Sequence, residues 1–242
     1  MNAPHPDPAA GRNYILRSLS PEEAALVRPH LEWTDLPYKT VFFRADEPIT
    51  HVWFIERGCA SLISTTPEGD AVEVGTIGNE GLVGTPVLLA ADSAPADCEM
   101  QVPGAGWSMP ADAIREAMRR SEPLRHRLLR FVQAHFNQVA QSAACNRLHT
   151  LEERCARWLL MTRDRTGSSF GLTHEYLAIM LGVRRAGVTV ALGVLQQAGM
   201  IRAGRGSITI LDPERLEEAA CGCYRQVRGE FDRLAPVPGA RD

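Results

Sequence analysis

The residues of this chain best suited to binding a polyanion are arginines near its C-terminal end. Arg184 and Arg185 are adjacent, and Arg205 stands between two glycines. The guanidinium group is always charged, and its fork of N–H donors fits a phosphate group or the O6 and N7 acceptors of guanine. Six arginines and only two acidic residues fall between positions 163 and 206. This local positive charge predicts a nucleic acid as the partner.

Residues 172–211 predict two short helices and a hairpin that would position these arginines. Thr173 is the expected N-cap of the first helix, Gly182 forms the turn and Gly199 ends the second helix. Apolar residues recur at helical spacing on one face of each helix, namely Tyr176, Leu177, Met180 and Leu181 in the first and Val188, Leu192 and Leu195 in the second. A helix-turn-helix inserts the start of its second helix into the DNA major groove, so that helix would carry the paired arginines to the bases.

The alternative for this stretch is an ordinary helical hairpin with two exposed arginines, since helix pairs joined by a glycine turn are common. Two alternating segments that flank Arg205 predict a wing and favour DNA binding. The charge distribution favours it as well. From position 147 onward 14 basic residues face 11 acidic ones, whereas positions 1–146 carry 12 basic and 18 acidic residues. An acidic part joined to a basic part is typical of a sensor attached to a nucleic-acid-binding module.

The region 33–109 predicts a small β-sandwich or barrel. Its β-rich segments are separated by turn-forming residues and lie at 41–43, 51–55, 60–64, 72–76, 97–102 and 106–109. The glycine-rich residues 78–84 interrupt this pattern and run into a short apolar segment. Backbone N–H groups of such a loop can bind a phosphate, although glycine is frequent in any loop between strands. The chain has 242 residues, 45% of them hydrophobic, which suffices for one large or two medium cores.

Helices are predicted at 111–120, 122–148 and 151–162. Capping boxes that begin at Ser20 and Thr150 mark two helix starts. Along 122–148 an apolar stripe steps by three or four positions and comprises Leu124, Leu128, Val132, His135 and Val139. The stripe predicts a dimer interface, because a helix that covers the β-domain and carries a second apolar stripe needs a twofold partner. The alternative is that both stripes are buried within one chain.

The cysteines do not form a recognisable metal-binding motif. The sequence has six cysteines and no C-x-x-C pair. Cys221 and Cys223 are the closest pair, while Cys145, His149 and Cys155 are loosely spaced across an expected helix break. Known metal sites use tighter, repeated spacings. We therefore expect neither a metal ion nor an iron–sulfur cluster.

Two other classes, enzymes and membrane proteins, lack support in the sequence. Asp92, Asp97, Glu99 and His51 could line a cavity of the β-domain, which is the competing catalytic hypothesis, but no nucleophile–base pattern accompanies them. No apolar run approaches the roughly 18 residues that span a bilayer. Residues 1–10 lack the pattern of a signal peptide. The expectation is a cytoplasmic protein that is not an enzyme.

The order of these parts resembles the Crp–Fnr family of bacterial transcription regulators, from about residue 12 to residue 211. The resemblance implies an α+β fold in which an N-terminal β-roll, or jelly roll, serves as a sensor domain. A long dimerisation helix and a C-terminal winged helix-turn-helix would follow it. It also implies a homodimer that binds a palindromic promoter site in double-stranded DNA and contacts RNA polymerase. Members of the family often bind a small effector in the β-roll.

The resemblance further implies DNA-contacting roles for individual residues. Arg185 stands where the guanine-reading arginine of the family begins the recognition helix. Arg184 takes the usual N-cap position, so it is expected to contact a phosphate. Thr173 and His174 match the phosphate-contacting start of the first helix. The complete set of expected DNA contacts is Thr173, His174, Arg184, Arg185, Thr189, Arg205 and Ser207.

Departures from the family pattern change the expected ligands. Ala186 and Val190 stand where base-contacting residues are usual, so a different DNA sequence is expected. In the β-roll, Glu80, Gly81 and Leu82 resemble the ribose-binding part of the cyclic-nucleotide cassette and are the expected effector contacts. No basic residue lies between positions 57 and 115, so a cyclic phosphate would lack a charged partner. A cyclic nucleotide is therefore disfavoured, no cofactor is expected, and an unknown small-molecule effector is the alternative.

These inferences divide the chain into five parts. They are a disordered N-terminus at 1–11, a cyclic-nucleotide-binding-like β-roll at 12–120, a dimerisation helix at 121–149, a winged helix-turn-helix at 150–225 and a C-terminal tail at 226–242. The predicted function is DNA-binding transcription regulation. The alternative is a β-roll module that binds a ligand or a protein without binding DNA.

Overall fold

The structure, a computed structural model, describes residues 7–234. Its N-terminal part contains α1 (Tyr14–Arg17), α2 (Pro21–Val27), a 3-10 turn (Arg28–His30), β1 (Glu32–Leu36), β2 (Val41–Phe43), β3 (His51–Thr65), β4 (Ala71–Ile77), β5 (Leu82–Val83), α3 (Thr85–Leu88), β6 (Asp97–Pro110) and α4 (Ala111–Arg120). Its C-terminal part contains α5 (Glu122–Leu148), α6 (Leu151–Thr166), β7 (Ser169–Gly171), α7 (His174–Leu181), α8 (Arg185–Gln197), β8 (Ile201–Gly204), β9 (Ser207–Ile210), α9 (Pro213–Ala219) and α10 (Cys223–Leu234). The predicted α+β fold class is confirmed.

The strands β1 to β6 form an antiparallel sheet that constitutes the β-roll. The strand order is β1-β6-β3-β4, with β2 paired to β6 and β5 paired to β3. The turn expected between the predicted segments 51–55 and 60–64 is instead a bulge inside β3 at Arg57, where the register against β6 shifts. Gly58 has a φ of +95°, and a side chain at Gly104 would collide with the carbonyl oxygen of Arg57. The two glycines therefore let the long strands bend without ending, and each strand joins two of the predicted segments.

Both predicted capping boxes are present. The N–H of Glu23 donates to the Ser20 hydroxyl at 3.2 Å, and the N–H of Ser20 donates to the Glu23 carboxylate at 2.7 Å. Thr150 and Glu153 form the same arrangement at the start of α6. These side chains satisfy N–H groups that have no partner within the helix. The second cap fixes the point at which α6 departs from α5, since only His149 and Thr150 separate the two helices.

The long helix α5 is covered by its own chain on two sides. Leu124, Leu128 and Phe131 are fully buried in the core of the β-roll. The helix α10 packs along a neighbouring side of α5, where the Asn137 amide donates to the carboxylate of Glu230. The prediction that Leu124, Leu128 and His135 contact a second chain is therefore wrong, because this face of α5 is buried in the chain's own core.

A second apolar stripe runs along α5 beside the face that packs on the β-roll, and its members Val132 and Val139 contact the β-roll with part of their side chains. Alternating steps of three and four positions connect its members, which are Leu129, Val132, Phe136, Val139 and Ala143. We call these residues the α5 strip. Phe136 is 64% exposed, and Val132 and Val139 are half-buried. Of the predicted dimer contacts, Val132 and Val139 thus belong to the face that is available to a partner.

The wing and both ends of the described chain differ from their predictions. The wing has three strands within residues 7–234, in the order β7-β9-β8, because Ser169–Gly171, which lies between the predicted helix 151–162 and the helix-turn-helix, forms β7. The predicted boundary at 225 falls inside α10, which packs on α5 instead of forming a tail. At the other end, the N–H of Ala10 donates to the carbonyl of Asp7 in a turn, where disorder was predicted. Residues 1–6 and 235–242, also parts of the predicted disordered N-terminus and tail, lie outside the described residues.

Two apolar cores organise the described chain. One lies in the β-roll and includes α4 and α5, and the other joins α6, α7, α8 and the wing. Cys59 and Val102 of the β-roll contribute to the second core, so the two parts are packed together. Among residues 7–234 no single helix is long and apolar enough to cross a membrane, and only α7 and α8, bent by 104°, meet that test when they are counted together.

The contact between Gly81 and Phe131 predicts a specific cost of substitution. A β-carbon at position 81 would lie 1.8 Å from Cε2 of Phe131, so the Gly81→Ala variant must displace α5 or the ring. We expect the free energy of unfolding to fall by about 1–3 kcal/mol in urea denaturation followed by circular dichroism.

The matched control is Gly193→Ala in α8. Nothing in the described part of the chain lies within 4 Å of the β-carbon that this change adds. Alanine also favours a helix over glycine by up to about 1 kcal/mol, so this variant should be as stable as the wild type or more so. An unchanged unfolding midpoint for Gly81→Ala would contradict the packing described here.

Candidate nucleic-acid interface

The helices α7 and α8 meet at the turn that Gly182 was predicted to form. Thr173 caps α7, since its hydroxyl accepts the N–H of Tyr176 at 3.1 Å. Gly182 has a φ of +61°, which disfavours any residue with a side chain. The N–H of Val183 donates to the carbonyl of Ala178 at 2.9 Å and closes the turn. The axes of α7 and α8 differ by 104°, within the range of a helix-turn-helix.

The rear faces of α7 and α8 are buried in the core that they share with α6 and the wing. Leu177, Val188 and Leu192 are fully buried there. Trp158 of α6 and Ile208 of β9 belong to the same core. Because these contacts hold α8 from behind, its opposite face points away from the protein.

Arg184 and Arg185 are exposed at the start of α8, as predicted. Arg184 is the N-cap, and its side chain makes no capping hydrogen bond within residues 7–234. Arg185 Nε lies 4.0 Å from the carboxylate of Glu175, and both side chains are mostly exposed. An exposed ion pair of this kind is worth little, so Arg185 can exchange it for a nucleic-acid contact. The unpaired N–H groups of the first turn of α8 add an electrostatic preference for phosphate.

His174 and Thr189 connect the start of α7 to the exposed side of α8. His174 Nδ1 lies 3.1 Å from Thr189 Oγ1, and the Thr189 hydroxyl donates to the carbonyl of Arg185 at 3.2 Å. The structure thus brings three of the predicted DNA contacts together. The neighbouring Val190 is 62% exposed. It was not among the predicted contacts, although an apolar residue on the outer face of an amphipathic helix is a signal that the sequence contains.

The wing presents the remaining predicted contacts. Arg205 and Ser207 are exposed at the β8–β9 hairpin, where Gly206 has a φ of +70°. The N–H of Leu172 donates to the carbonyl of Gly206 at 2.9 Å and ties the hairpin to the residue before the cap of α7. The wing is therefore held in place relative to the helix-turn-helix.

The residues expected to contact an effector have other partners. Glu80 is buried, and it accepts the N–H of Gly78 at 3.1 Å and the Nη2 group of Arg165 at 2.7 Å. Leu82 is fully buried, and Gly81 packs against the ring of Phe131. Residues 80–82 thus join the β-roll to α5 and α6. Glu80 also lines two open cavities, one beside the start of α5 and one beside α10, so its contact with an effector stays a prediction.

Glu73 forms a second buried link between the β-roll and the C-terminal part. Its carboxylate accepts hydrogen bonds from Trp158 Nε1 at 2.8 Å and from the Ser61 hydroxyl at 2.6 Å. Ser61 Oγ also lies 3.5 Å from Sδ of Met180 in α7. Burial raises the pKa of Glu73 to about 7, and the two hydrogen bonds and the charges of Arg165 and Arg157 lower it only in part. An acid that titrates near neutral pH therefore lies where the two parts meet.

Four metal-binding side chains come together where α5 ends and α10 begins. The donor atoms of Cys145, His149, Cys221 and Cys223 all lie within 4.8 Å of one another. Cys145 and Cys221 are 76 positions apart, and the packing of α10 on α5 joins them. Cys221 and Cys223 were kept apart from Cys145 and His149 in the sequence analysis, because only spacing along the sequence was considered there. Cys155, which the sequence analysis considered with them, is not part of the group.

The acidic residues of the catalytic hypothesis have separate partners in the β-roll. Asp92 forms an ion pair with Arg115 at 2.6 Å, and Asp97 forms one with Arg44 at 3.4 Å. Carboxylates paired with arginines at an exposed surface are typical of a solvated face. These contacts do not favour a catalytic arrangement.

A β-roll joined through a long helix to a winged helix-turn-helix with exposed arginines defines a class of DNA-binding regulators. Residues 153–219 match the family model of the Crp-like helix-turn-helix domain, and residues 34–121 match that of the cyclic nucleotide-binding domain. The chain belongs to the Crp–Fnr family of transcription regulators.

Similar proteins cover most of the chain. The CRP-like cAMP-activated global transcriptional regulator of Mycobacterium tuberculosis is 23% identical over 222 residues, which are 88% of this chain and 99% of that protein. The structure of FixK2 from Bradyrhizobium japonicum has a TM-score of 0.68 at 16% identity and covers 79% of this chain and 98% of its own. A CRP-family transcriptional regulator from Thermus thermophilus has a TM-score of 0.64 at 18% identity, with 78% of this chain and 99% of its own covered. At these identities the structural matches establish the fold.

The buried carboxylate of Glu73 predicts that the chain is less stable above neutral pH. The pKa in the folded chain is raised to about 7 from an ordinary 4.5, so the folded state holds a proton that the unfolded state has released. The stabilisation is complete below about pH 4.5 and is lost as the pH rises through 7. We expect the Glu73→Gln variant to lose this dependence. Between about pH 6 and pH 8 the wild type should lose on the order of 1 kcal/mol more than the variant in urea unfolding.

Glu68→Gln is the control, because Glu68 is exposed in the turn between β3 and β4. This variant also removes one carboxylate, and its stability should follow the wild-type pH profile. If the profiles of wild type and Glu73→Gln are parallel, the titration of Glu73 does not contribute to stability.

Proposed function

We propose that this chain is a homodimeric regulator that binds a palindromic promoter site in double-stranded DNA. The observation that carries the proposal is the exposed start of α8, where Arg184 and Arg185 are exposed while Val188, one turn further along, is fully buried. A recognition helix needs this arrangement, because its rear must be fixed while its leading end enters the major groove. The printed name of the Mycobacterium tuberculosis relative, a global transcriptional regulator, agrees with a regulatory role.

The residues of the interface have different roles in this proposal. Arg185 reads a guanine through paired hydrogen bonds to O6 and N7. Val190, further along the exposed face, contacts the methyl group of a thymine, which is the apolar feature of the major groove. Arg184 at the start of α8 and Arg205 in the wing each bind a phosphate. Thr189 lies between Arg185 and Val190 and is a further contact to the DNA. Phosphate contacts fix the position of the protein, and base contacts select the sequence.

The α5 strip supports the homodimer. Its spacing of three and four residues is that of a two-stranded coiled coil. Phe136, 64% exposed, lies midway along a helix of 27 residues. A second copy of the chain places the same strip opposite and covers both rings in one twofold contact. Two recognition helices can then occupy half-sites about 34–36 Å apart, one turn of DNA.

We propose that the β-roll responds to an unidentified small molecule and not to cyclic AMP. Glu80 is engaged by Arg165, and residues 58–114 contain no arginine or lysine that could pair with a cyclic phosphate. The Mycobacterium tuberculosis relative is named as cAMP-activated, so this chain would differ from it in its effector. The proposal also includes a contact with RNA polymerase, which the family resemblance implies, and a role that is not enzymatic.

The proposed roles of Arg185 and Arg205 predict different DNA-binding defects. A binding site is first selected from random duplexes, and fluorescence anisotropy is then measured on this site and on a shuffled duplex at several salt concentrations. Arg185→Ala should lose about 1–3 kcal/mol on the selected site only, because it removes a base contact. Arg205→Ala should weaken both duplexes alike and reduce the salt slope by about 1, because it removes a phosphate contact.

The matched control is Arg119→Ala, which removes an arginine that is paired with Glu116 on the surface of the β-roll. Its binding curves should coincide with those of the wild type. Equal losses on both duplexes for Arg185→Ala would show that Arg185 reads no base. No duplex binding by the wild type would reject DNA binding itself and leave a ligand- or protein-binding β-roll module, and salt-independent binding would contradict the phosphate contacts.

The α5 strip predicts that Phe136→Arg produces monomers. Two guanidinium groups would meet in an apolar twofold contact, and their desolvation and repulsion oppose association. Sedimentation velocity should show a dimer for the wild type and a monomer of unchanged secondary structure for the variant. Leu89→Arg is the control, since Leu89 is 59% exposed on the β-roll, outside the strip. A dimeric Phe136→Arg variant would contradict pairing through α5.

A further inference from the structure

We propose that Cys145, His149, Cys221 and Cys223 bind one zinc ion that fastens the end of α5 to the start of α10. Three thiolates and one imidazole are a common ligand set of structural zinc sites. All four residues are buried or half-buried, and their donor atoms lie within 4.8 Å of one another. The sequence separates these residues into two pairs, 145 with 149 and 221 with 223. The fold alone assembles them.

The distances fit a single tetrahedral ion. Cys145 Sγ lies 3.4 Å from Cys221 Sγ, and Cys223 Sγ lies 3.6 Å from His149 Nδ1. A zinc ion with bonds of about 2.3 Å to sulfur and 2.0–2.1 Å to nitrogen places its donor atoms about 3.5–3.8 Å apart. Small side-chain adjustments therefore suffice to close the site. A four-iron cluster would require wider separation, because each thiolate binds a different iron atom.

The surroundings of the four ligands are suited to a negatively charged metal–thiolate group. Zinc with three thiolates and a neutral imidazole carries a net charge of about −1. Gln141 Nε2 donates a hydrogen bond to Cys223 Sγ at 3.0 Å, as a second layer of donors does around metal-bound sulfur. The charge of Arg157 acts on Cys145, and Nη1 of Arg157 is buried without a hydrogen-bond partner among the described residues. An adjacent anionic site supplies the compensation that this buried cation lacks.

The position of the site indicates what the ion would do. His149 lies between α5 and α6, where the long helix gives way to the DNA-binding part. Cys221 and Cys223 lie at the turn from α9 into α10, which returns from the wing to pack on α5. A metal ion that joins these two points fixes the angle at which α6 leaves α5. It would also retain α10 against α5 when the rest of the C-terminal part moves.

The first test is the metal content and cobalt spectrum of the full chain, purified with a thiol reductant. We expect one zinc per chain by inductively coupled plasma mass spectrometry. After removal of zinc with a chelator, anaerobic titration with Co²⁺ should saturate at one equivalent. It should give the intense visible bands of tetrahedral cobalt together with thiolate-to-cobalt charge transfer. Zinc should then displace the cobalt and raise the thermal unfolding temperature, since an ion that binds only the folded state stabilises it.

Variants distinguish metal binding by the four ligands from metal binding by other cysteine thiols of the chain. The Cys221→Ser/Cys223→Ser double variant should bind no cobalt. Gln141→Leu should keep the stoichiometry and lose about 10–100-fold in zinc affinity, because it removes only the hydrogen bond to the metal-bound sulfur. Cys98→Ala is the matched control, since Cys98 is a buried thiol of β6 outside the group, and it should bind zinc as the wild type does.

Three results would overturn the proposal, and none depends on whether the chain binds DNA. They are a wild-type chain without stoichiometric metal whose cobalt spectrum remains that of the hydrated ion, a chain that contains iron and inorganic sulfide, and a reduced, metal-free chain that is as stable as the zinc-treated one. The cobalt titration uses wild-type protein, so the proposal stays testable even if the cysteine variants do not fold.

Discussion

The burial of α5 is the constraint on which the rest of the structure depends. This helix of 27 residues carries two apolar stripes, and each stripe needs a cover. The β-roll covers Leu128 and Phe131, α10 covers the side that carries Asn137, and the α5 strip is left. A second chain on this strip would complete the burial and set the distance between two copies of α8. The stability of the fold and the geometry of DNA binding then depend on the same helix.

Buried polar contacts connect the β-roll to the DNA-binding part. The pair of Glu80 and Arg165 and the hydrogen bond from Trp158 to Glu73 both cross from the sheet to α6. Breaking a buried ion pair by removing one partner typically costs about 3–5 kcal/mol, because it leaves an uncompensated charge. The β-roll therefore fixes the position of α6, and α6 carries the core behind the recognition helix. These contacts would carry a signal from the β-roll to α6 and so to the core behind α8.

Local features of the structure could be predicted from the sequence. Which face of a helix is buried and which is exposed could not be predicted. The capping boxes, the Gly182 turn and the exposed Arg185 each depend on a few adjacent residues, so their chemistry is visible in the sequence. Leu124, Leu128 and His135 were assigned to the proposed dimer interface because the helix has two apolar stripes. Only the packing of α10 and the β-roll shows which stripe remains exposed. Similarly, the sequence around Glu80 resembles a ligand-binding segment, and it does not show that Arg165, 85 positions away, donates a hydrogen bond to the Glu80 carboxylate. The group of Cys145, His149, Cys221 and Cys223 was also missed, because residues that are distant in the sequence and meet only in the fold have no recognisable local spacing.

The central claim is that pairing through α5 presents two recognition helices to one face of a duplex. Native mass spectrometry of the chain with a duplex selected from random pools, combined with hydroxyl-radical footprinting, tests it most directly. The account predicts two chains per duplex, a palindromic selected sequence, and two protected half-sites about 34–36 Å, or one DNA turn, apart. One chain per duplex, or a selected sequence without twofold symmetry, would contradict it.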